Sequence, residues 1–339
     1  MAPKPPNVAP GRFAILGLYA PGLALTLILT WAAFGLRTIE GLGAFSPLIV
    51  AMLLGVVIRN LMGVPAAASP GVVFSQKSLL RAAIVLLGLQ FTASQIGVIG
   101  LPGLGIAAVS LGATFVFTLA AGRVLKVDRS LAALIAGGVS VCGASAVAAF
   151  NTVARADDED AAYAVAAITA FGTVAMFSFP FAPALLDLDP RAYGIWTGAA
   201  VHEIAQVAGA GFQNGAASGE AAMVAKLSRV VLLAPLVMAF AWSVRRASAG
   251  PPVAPPPPWF LFGFLAAAAF ASVVSLPTAL VQASAQATTF MMTMALAAMG
   301  LEVDVGRLRR KGLRPLALAG AASLFIAGLS LILVKAWAG

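Results

Sequence analysis

Apolar runs close to the length needed to cross a lipid bilayer follow one another along almost the whole chain. A bilayer core requires about 20 apolar residues per helix. Eleven runs approach that length, at roughly 13–35, 44–62, 76–98, 103–124, 131–152, 160–186, 191–212, 219–244, 259–275, 280–302 and 313–337. Only 10% of the residues are charged, whereas soluble domains carry about a quarter. The chain therefore reads as an all-α membrane protein with about 11 transmembrane segments. The run after the basic, Pro-rich MAPKPPNVAPGR is too long for a signal-peptide core, so it reads as a retained first helix. The stretch RRASAGPPVAPPPP is a Pro-rich linker that cannot be helical. These breaks divide the chain into a tail and extra helix (1–40), a first block (41–244), the linker (245–258) and a last block of three spans (259–339).

The formal charge of +9 does not point to nucleic acid, because the basic residues gather in short loops. If every run crosses once, one side collects Lys4, Arg12, Arg59, Lys77, Arg81, Arg123, Lys126, Arg129, Arg245, Arg246 and the group Arg307–Arg314. The positive-inside rule makes that side cytoplasmic, with the N-terminus inside and the C-terminus outside. The acidic stretch Asp157–Asp160 then falls on the far side, with Arg37, Arg155 and Lys335 as minority cations there. With Cys142 alone, no intrachain disulfide can form.

The last block echoes the first at an offset of 212 residues. SPLIVAMLLGVVIRNLMGVP (46–65) falls on PWFLFGFLAAAAFASVVSLP (258–277), and AAIVLLGLQFT (82–92) on MALAAMGLEVD (294–304). Pro65/Pro277, Gly88/Gly300 and Leu89/Leu301 match. An odd number of crossings separates the copies, so the repeat is inverted, a mark of secondary transporters. A weaker echo joins GGVSVCGASAVAA (137–149) to TGAAVHEIAQVAG (197–209). Each segment is either a discontinuous span or a re-entrant hairpin. Each is just long enough to cross, which favours discontinuous spans.

Three polar clusters sit inside apolar runs. Gly137, Gly138 and Gly143 weaken a helix that also carries Ser140, Cys142 and Ser145. A break there would expose N–H groups suited to an anion; close packing of small residues is the other reading. His202 and Glu203 lie at mid-segment depth, where an ionisable group costs about 2.5–3.5 kcal/mol. Gln206 is placed on the face of His202 by i, i+4 spacing. The three are candidate proton-coupling or gating groups, or a structural network. Lys226 and Arg229 share a helical face about 10 and 15 Å into their helix at 1.5 Å per residue. Two cations against one carboxylate favour an anionic ligand, unless Arg229 closes onto Glu203. One histidine and one cysteine make no metal site.

Taken together, GVSVCGASAVAA, AAVHEIAQVAGAG and AKLSRVVLLAPL, with LLRAAIVLLGLQFT before them and MALAAMGLEVDV after, resemble the bacterial sulfate exporter family. The resemblance covers nearly the whole chain. It implies kinship with the bile-acid/sodium symporters and sodium/proton antiporters, hence an inverted-repeat core with broken helices and one extra N-terminal helix. It also implies the bacterial inner membrane. The expected function is secondary transport of a small anion, sulfate or a related sulfur oxyanion first, with proton coupling. Ser140, Cys142, Gly143, Ser145, Lys226 and Arg229 are the expected substrate-binding residues. Partners would be the anion and the bilayer, with a homodimer as the candidate assembly and no nucleic acid. No cofactor is expected. A passive anion channel is the main alternative. An intramembrane enzyme is disfavoured because neither Cys142 nor the His202–Glu203 pair has an evident catalytic partner.

Overall fold

The computed structural model describes residues 12–40, 42–245 and 258–338, and every regular element among them is helical. The tail 1–11 and nearly all of the Pro-rich linker, 246–257, lie outside the described residues. In chain order the helices are α1 (Arg12–Leu36), α2 (Pro47–Leu61), α3 (Ala66–Gln90), α4 (Ala93–Val124), α5 (Arg129–Ser140), α6 (Ala144–Ala154), α7 (Asp158–Leu186), α8 (Pro190–Ala200) and α9 (Ile204–Gln213). They continue as α10 (Ala216–Val231), α11 (Leu233–Arg245), α12 (Trp259–Val273), α13 (Thr278–Glu302), α14 (Val305–Arg310) and α15 (Leu313–Ala338). Six helical stretches are long and apolar enough to cross a membrane: Gly17–Leu36, α3, Gly103–Val124, α7, Ala216–Val244 and Leu313–Trp337.

The duplication is visible in the helix boundaries. Pro47–Leu61 and Trp259–Val273 start and stop 212 residues apart, as do Ala66–Gln90 and Thr278–Glu302. The matched glycines are points of close backbone approach in both copies. A Cβ on Gly88 would run into the carbonyl of Phe264, and one on Gly300 into the carbonyl of Met52, which is the same pair of positions exchanged between repeats. α2 and α13 run side by side in the same direction, from Gly55 against Gly300 to an Arg59–Asp304 ion pair of 2.9 Å. Since α3 returns from the end of α2, α13 opposes its own repeat mate α3, and the repeat is inverted.

Two expectations are corrected. The run expected at 76–98 is instead the helix Ala66–Gln90, and the neutral loop expected near 97–100 lies inside α4. Pro65 and Pro70 set the start of α3, since proline suits a first helical turn. Phe91, in extended conformation, ends it. Lys77 and Arg81 are therefore helical residues, and Ser75–Leu79 forms a π-turn.

The second correction concerns the two broken segments. Both chain breaks fall where the small polar residues suggested, at 141–143 and 201–203. Neither segment crosses; each folds back on itself. Gly137 faces Phe150 and Gly138 faces Val147, so α5 and α6 lie antiparallel. Gly143, at φ +69°, makes the turn in a conformation that favours glycine. The second pair is likewise antiparallel, with the Tyr193 hydroxyl donating to Ala210 O at 2.9 Å. The first hairpin starts and ends at one end of the bundle, where Gly122 touches Ala132 and Leu318 and where Lys311 meets Asp160 at 2.5 Å. The second starts and ends at the other, where Gln213 bonds to Ala44 O and Asn214 to Pro180 O. The acidic stretch 157–160 thus shares an end with the basic loops. Hydrogen bonding to Asp160 raises the pKa of Lys311, and bonds from Ser130 hold the Asp128 carboxyl at the start of α5 below its usual value.

This topology predicts a labelling pattern. In a Cys142→Ser background, single cysteines at Asp158 and Val305 should react with an impermeant thiol reagent from the same side, and one at Ser275 from the opposite side. Reaction of 158 together with 275 would restore the crossing version.

Packing sorts the helices into two bodies that cut across the sequential blocks. One holds α1, α2, α3, α12 and α13; the other holds α4, both hairpins, α7, α10 and α15. A cleft runs between them.

Candidate functional site

The two hairpin tips meet at the centre of the second body, and α10 stitches them together. Glycines make the approach possible: a Cβ at Gly194 or Gly198 on α8 would strike the α10 backbone. At a tip, the last carbonyls of one helix and the first N–H groups of the next are all left without intrahelical partners. The α5 and α8 carbonyl ends carry partial negative charge and the α6 and α9 amide ends partial positive charge.

Lys226 and Arg229 answer the carbonyl ends. They lie three residues apart on α10, as their spacing implied, and both are fully buried. Lys226 Nζ donates to Val141 O at 2.7 Å and to Val201 O at 2.8 Å, one carbonyl from each tip. Arg229 donates to Val139 O, Ser140 O and Ala199 O at 2.9, 2.5 and 2.5 Å. Its guanidinium therefore caps both helix ends and is not closed onto Glu203.

Glu203 answers the amide ends. Its Oε1 accepts from Ala144 N, the first residue of α6, at 2.7 Å. Gly143 makes room for it, because a Cβ there would overlap that oxygen. Glu203 is also the N-cap of α9, where its own N–H donates to Gln206 Oε1 at 3.3 Å.

The polar trio divides. The i, i+4 relation between His202 and Gln206 does not place them on one face, because the helix starts only at Ile204. His202 turns to α15, with Nε2 2.8 Å from Ser323 Oγ. The Ser323 hydroxyl in turn donates to Ala319 O at 2.7 Å. Gln206 donates to Thr169 O and Thr173 Oγ1 on α7. Only Glu203 faces the cleft. Ser145, exposed, and Cys142, nearly buried, line the cleft beside it, while Ser140 Oγ is buried without a hydrogen-bond partner among the described residues.

The cleft holds two vestibules, one toward each end. The larger, about 1270 Å³, reaches Cys142, Ala144, Ser145 and Glu203 from the end bearing Lys311, past Arg59, Lys77, Arg81 and Glu302. The smaller, about 370 Å³, reaches no further than Phe212 and Gln213. Their walls are copies of one another. Gln76, Lys77, Leu80, Trp259, Met299 and Glu302 line the first; Thr288, Thr289, Met292, Pro47, Leu87 and Gln90, each 212 residues away from its counterpart, line the second. The copies differ in charge: Lys77 and Glu302 of the wide vestibule stand where the narrow one has Thr289 and Gln90. Lys77, Arg81 and Glu302 are site residues that no motif in the sequence announces. The 212-residue offset pairs them with neutral residues, which was the available signal.

Comparison with known proteins agrees with a membrane-embedded helical protein. Residues 21–319 match the family described as conserved hypothetical protein 698. The chain is 35% identical to the UPF0324 membrane protein Cgl0015/cg0018 of Corynebacterium glutamicum, covering 94% of this chain and 93% of the relative. It is 38% identical to the UPF0324 membrane protein PA5383 of Pseudomonas aeruginosa, covering 88% and 89%. It is 36% identical to the UPF0324 inner membrane protein YeiH of Escherichia coli K12, covering 89% of both. No solved structure matches the chain. With near full-length relatives and a family match over most of its length, the chain belongs to the UPF0324 family of bacterial membrane proteins.

Proposed function

We propose that this protein is an alternating-access secondary transporter for a small anion in the bacterial inner membrane, with sulfate or a related sulfur oxyanion as the first substrate to test. The observation that carries the reading is the pair of vestibules with repeat-related walls and unequal size, one reaching the hairpin tips and one stopping short. Two arrangements of one duplicated scaffold, exchanged between its halves, would open the tips to each side in turn. The two-body packing, with hairpins in one body and the repeat-related α2, α3, α12 and α13 in the other, suits that movement. It also fits kinship with the bile-acid symporter and antiporter folds. By the positive-inside rule the wide vestibule faces the cytoplasm, where the N-terminus also lies.

The case for an anion is electrostatic. Arg59 is balanced by its partner Asp304, and Lys77 and Arg81 outnumber Glu302 along the wide vestibule. At the tips, Lys226 and Arg229 outnumber Glu203, an excess of one positive charge that a bound anion would cancel. The two cations act on that anion through their field while their donors stay on carbonyls. The anion would sit at the start of α6, with Cys142 and Ser145 offering thiol and hydroxyl donors; Ser140, whose hydroxyl is buried away from the cleft, and Gly143, whose N–H donates to Gly138 O at 2.9 Å, shape the tip. Glu203 holds the Ala144 N–H in the absence of substrate. Protonating Glu203 weakens that hold and clears the helix end, so anion binding and proton binding favour each other. His202 and Gln206 keep the second tip in place. The cycle needs no cofactor and no enzymatic step.

Proteoliposomes test this directly. Labelled sulfate, thiosulfate, sulfite and phosphate should be compared with and without a pH gradient, with proton movement recorded. A gradient acid on the substrate side should speed uptake of at least one of them several-fold. Flux with no proton movement would favour the channel, and no flux of any of these anions would remove the anion reading.

A further inference from the structure

The Lys226 ammonium occupies an unusual position. It is fully buried, and its recorded partners are two main-chain carbonyls, Val141 O and Val201 O, contributed by two separate chain breaks. The carbonyl ends of two helices converge there, each with partial negative charge. Glu203, Cys142 and Arg229 are its electrostatic neighbours. Unwound carbonyls at helix C-terminal ends inside a membrane protein are the ligands a small monovalent cation takes. Arg229 does not fill this role. It is tied mainly to Val139, Ser140 and Ala199, and its approach to Val201 O is 3.5 Å.

We propose that Val141 O and Val201 O form a monovalent-cation site whose resident cation is the side chain of Lys226. The protein carries its cation covalently, and removing the side chain leaves a vacant site for an alkali ion. The Glu203 carboxylate completes the local charge balance, and water supplies the remaining ligands. If the transport reading holds, the cycle takes no sodium at this position, because the Lys226 ammonium fills it.

The test is thermal unfolding of full-length protein in detergent, in sodium, lithium or choline chloride at equal ionic strength. Wild type should melt at the same temperature in all three. Lys226→Ala should melt lower in choline and be stabilised by sodium or lithium, with a saturable rise of roughly 3–6 °C at concentrations well above its dissociation constant. Lys226→Met, which fills the space without charge, should be destabilised and should not respond to the cation. A Lys226→Ala protein with equal melting in sodium and choline overturns the proposal. So does one recovered folded from neither salt, a wild type stabilised by sodium over choline, or a methionine variant that responds like alanine. None of these readouts requires transport, so failure here is distinct from failure of the proposed function.

Discussion

Membranes from cells expressing Arg229→Met should yield little monodisperse protein in detergent, whatever anion is present. Arg229 is fully buried and holds Val139 O, Ser140 O and Ala199 O at the ends of α5 and α8. Each buried acceptor left unsatisfied costs about 1–3 kcal/mol, and whole-protein stabilities are only about 5–15 kcal/mol. Losing three partners at once therefore approaches the total. The converging negative helix ends would also lose a counter-charge. Arg229→Lys keeps the charge but replaces a planar fork with a point donor, so it should be recovered with an intermediate melting temperature. Size-exclusion profiles and thermal melts read both outcomes. A methionine variant with the wild-type profile would mean that the tips are held together by something else.

The second large effect concerns pH. In wild type, anion affinity should rise as pH falls through the titration of Glu203, by up to about tenfold per pH unit for one coupled proton. The sign follows from occupancy: the ionised carboxylate holds Ala144 N–H, and the protonated one releases it to the anion. Glu203→Gln can still offer an oxygen to Ala144 but cannot titrate. Its affinity should be flat with pH, and its melting temperature close to wild type. His202→Gln should keep the wild-type slope, because His202 faces α15 and not the cleft. Isothermal titration with sulfate between pH 5 and 8 decides this. A slope in Glu203→Gln equal to that of wild type would assign the proton elsewhere.

Much of the scaffold is written locally. Runs of apolar residues mark most helices, and the glycines and small polar residues at 137–145 mark the first break. The matched Gly88 and Gly300 disclose the duplication, and in the fold they are the contact points that need a missing Cβ. What the sequence hides is long-range. Two hairpins and two crossings of equal length have the same composition and leave the loops after the second segment on the same sides; only the stretch between them changes side. The residues that decide, Gly137 against Phe150 and Gly138 against Val147, are informative only as pairs. The partners of Lys226 and Arg229 are carbonyls, which every residue possesses and no motif announces. The face shared by His202 and Gln206 assumed a continuous helix where the chain is broken.

The pairing of α2 with α13 has a consequence for biosynthesis. Arg59 meets its partner Asp304 only after 245 more residues have been made. At about 5–20 residues per second this takes roughly 12–50 s. For that interval the face of α2 around Met52 and Gly55 rests against lipid or the translocation machinery, while the hairpin body already has most of its helices. The first body therefore closes last, around a helix inserted among the first, and the chain must keep that early seam open until the final repeat arrives.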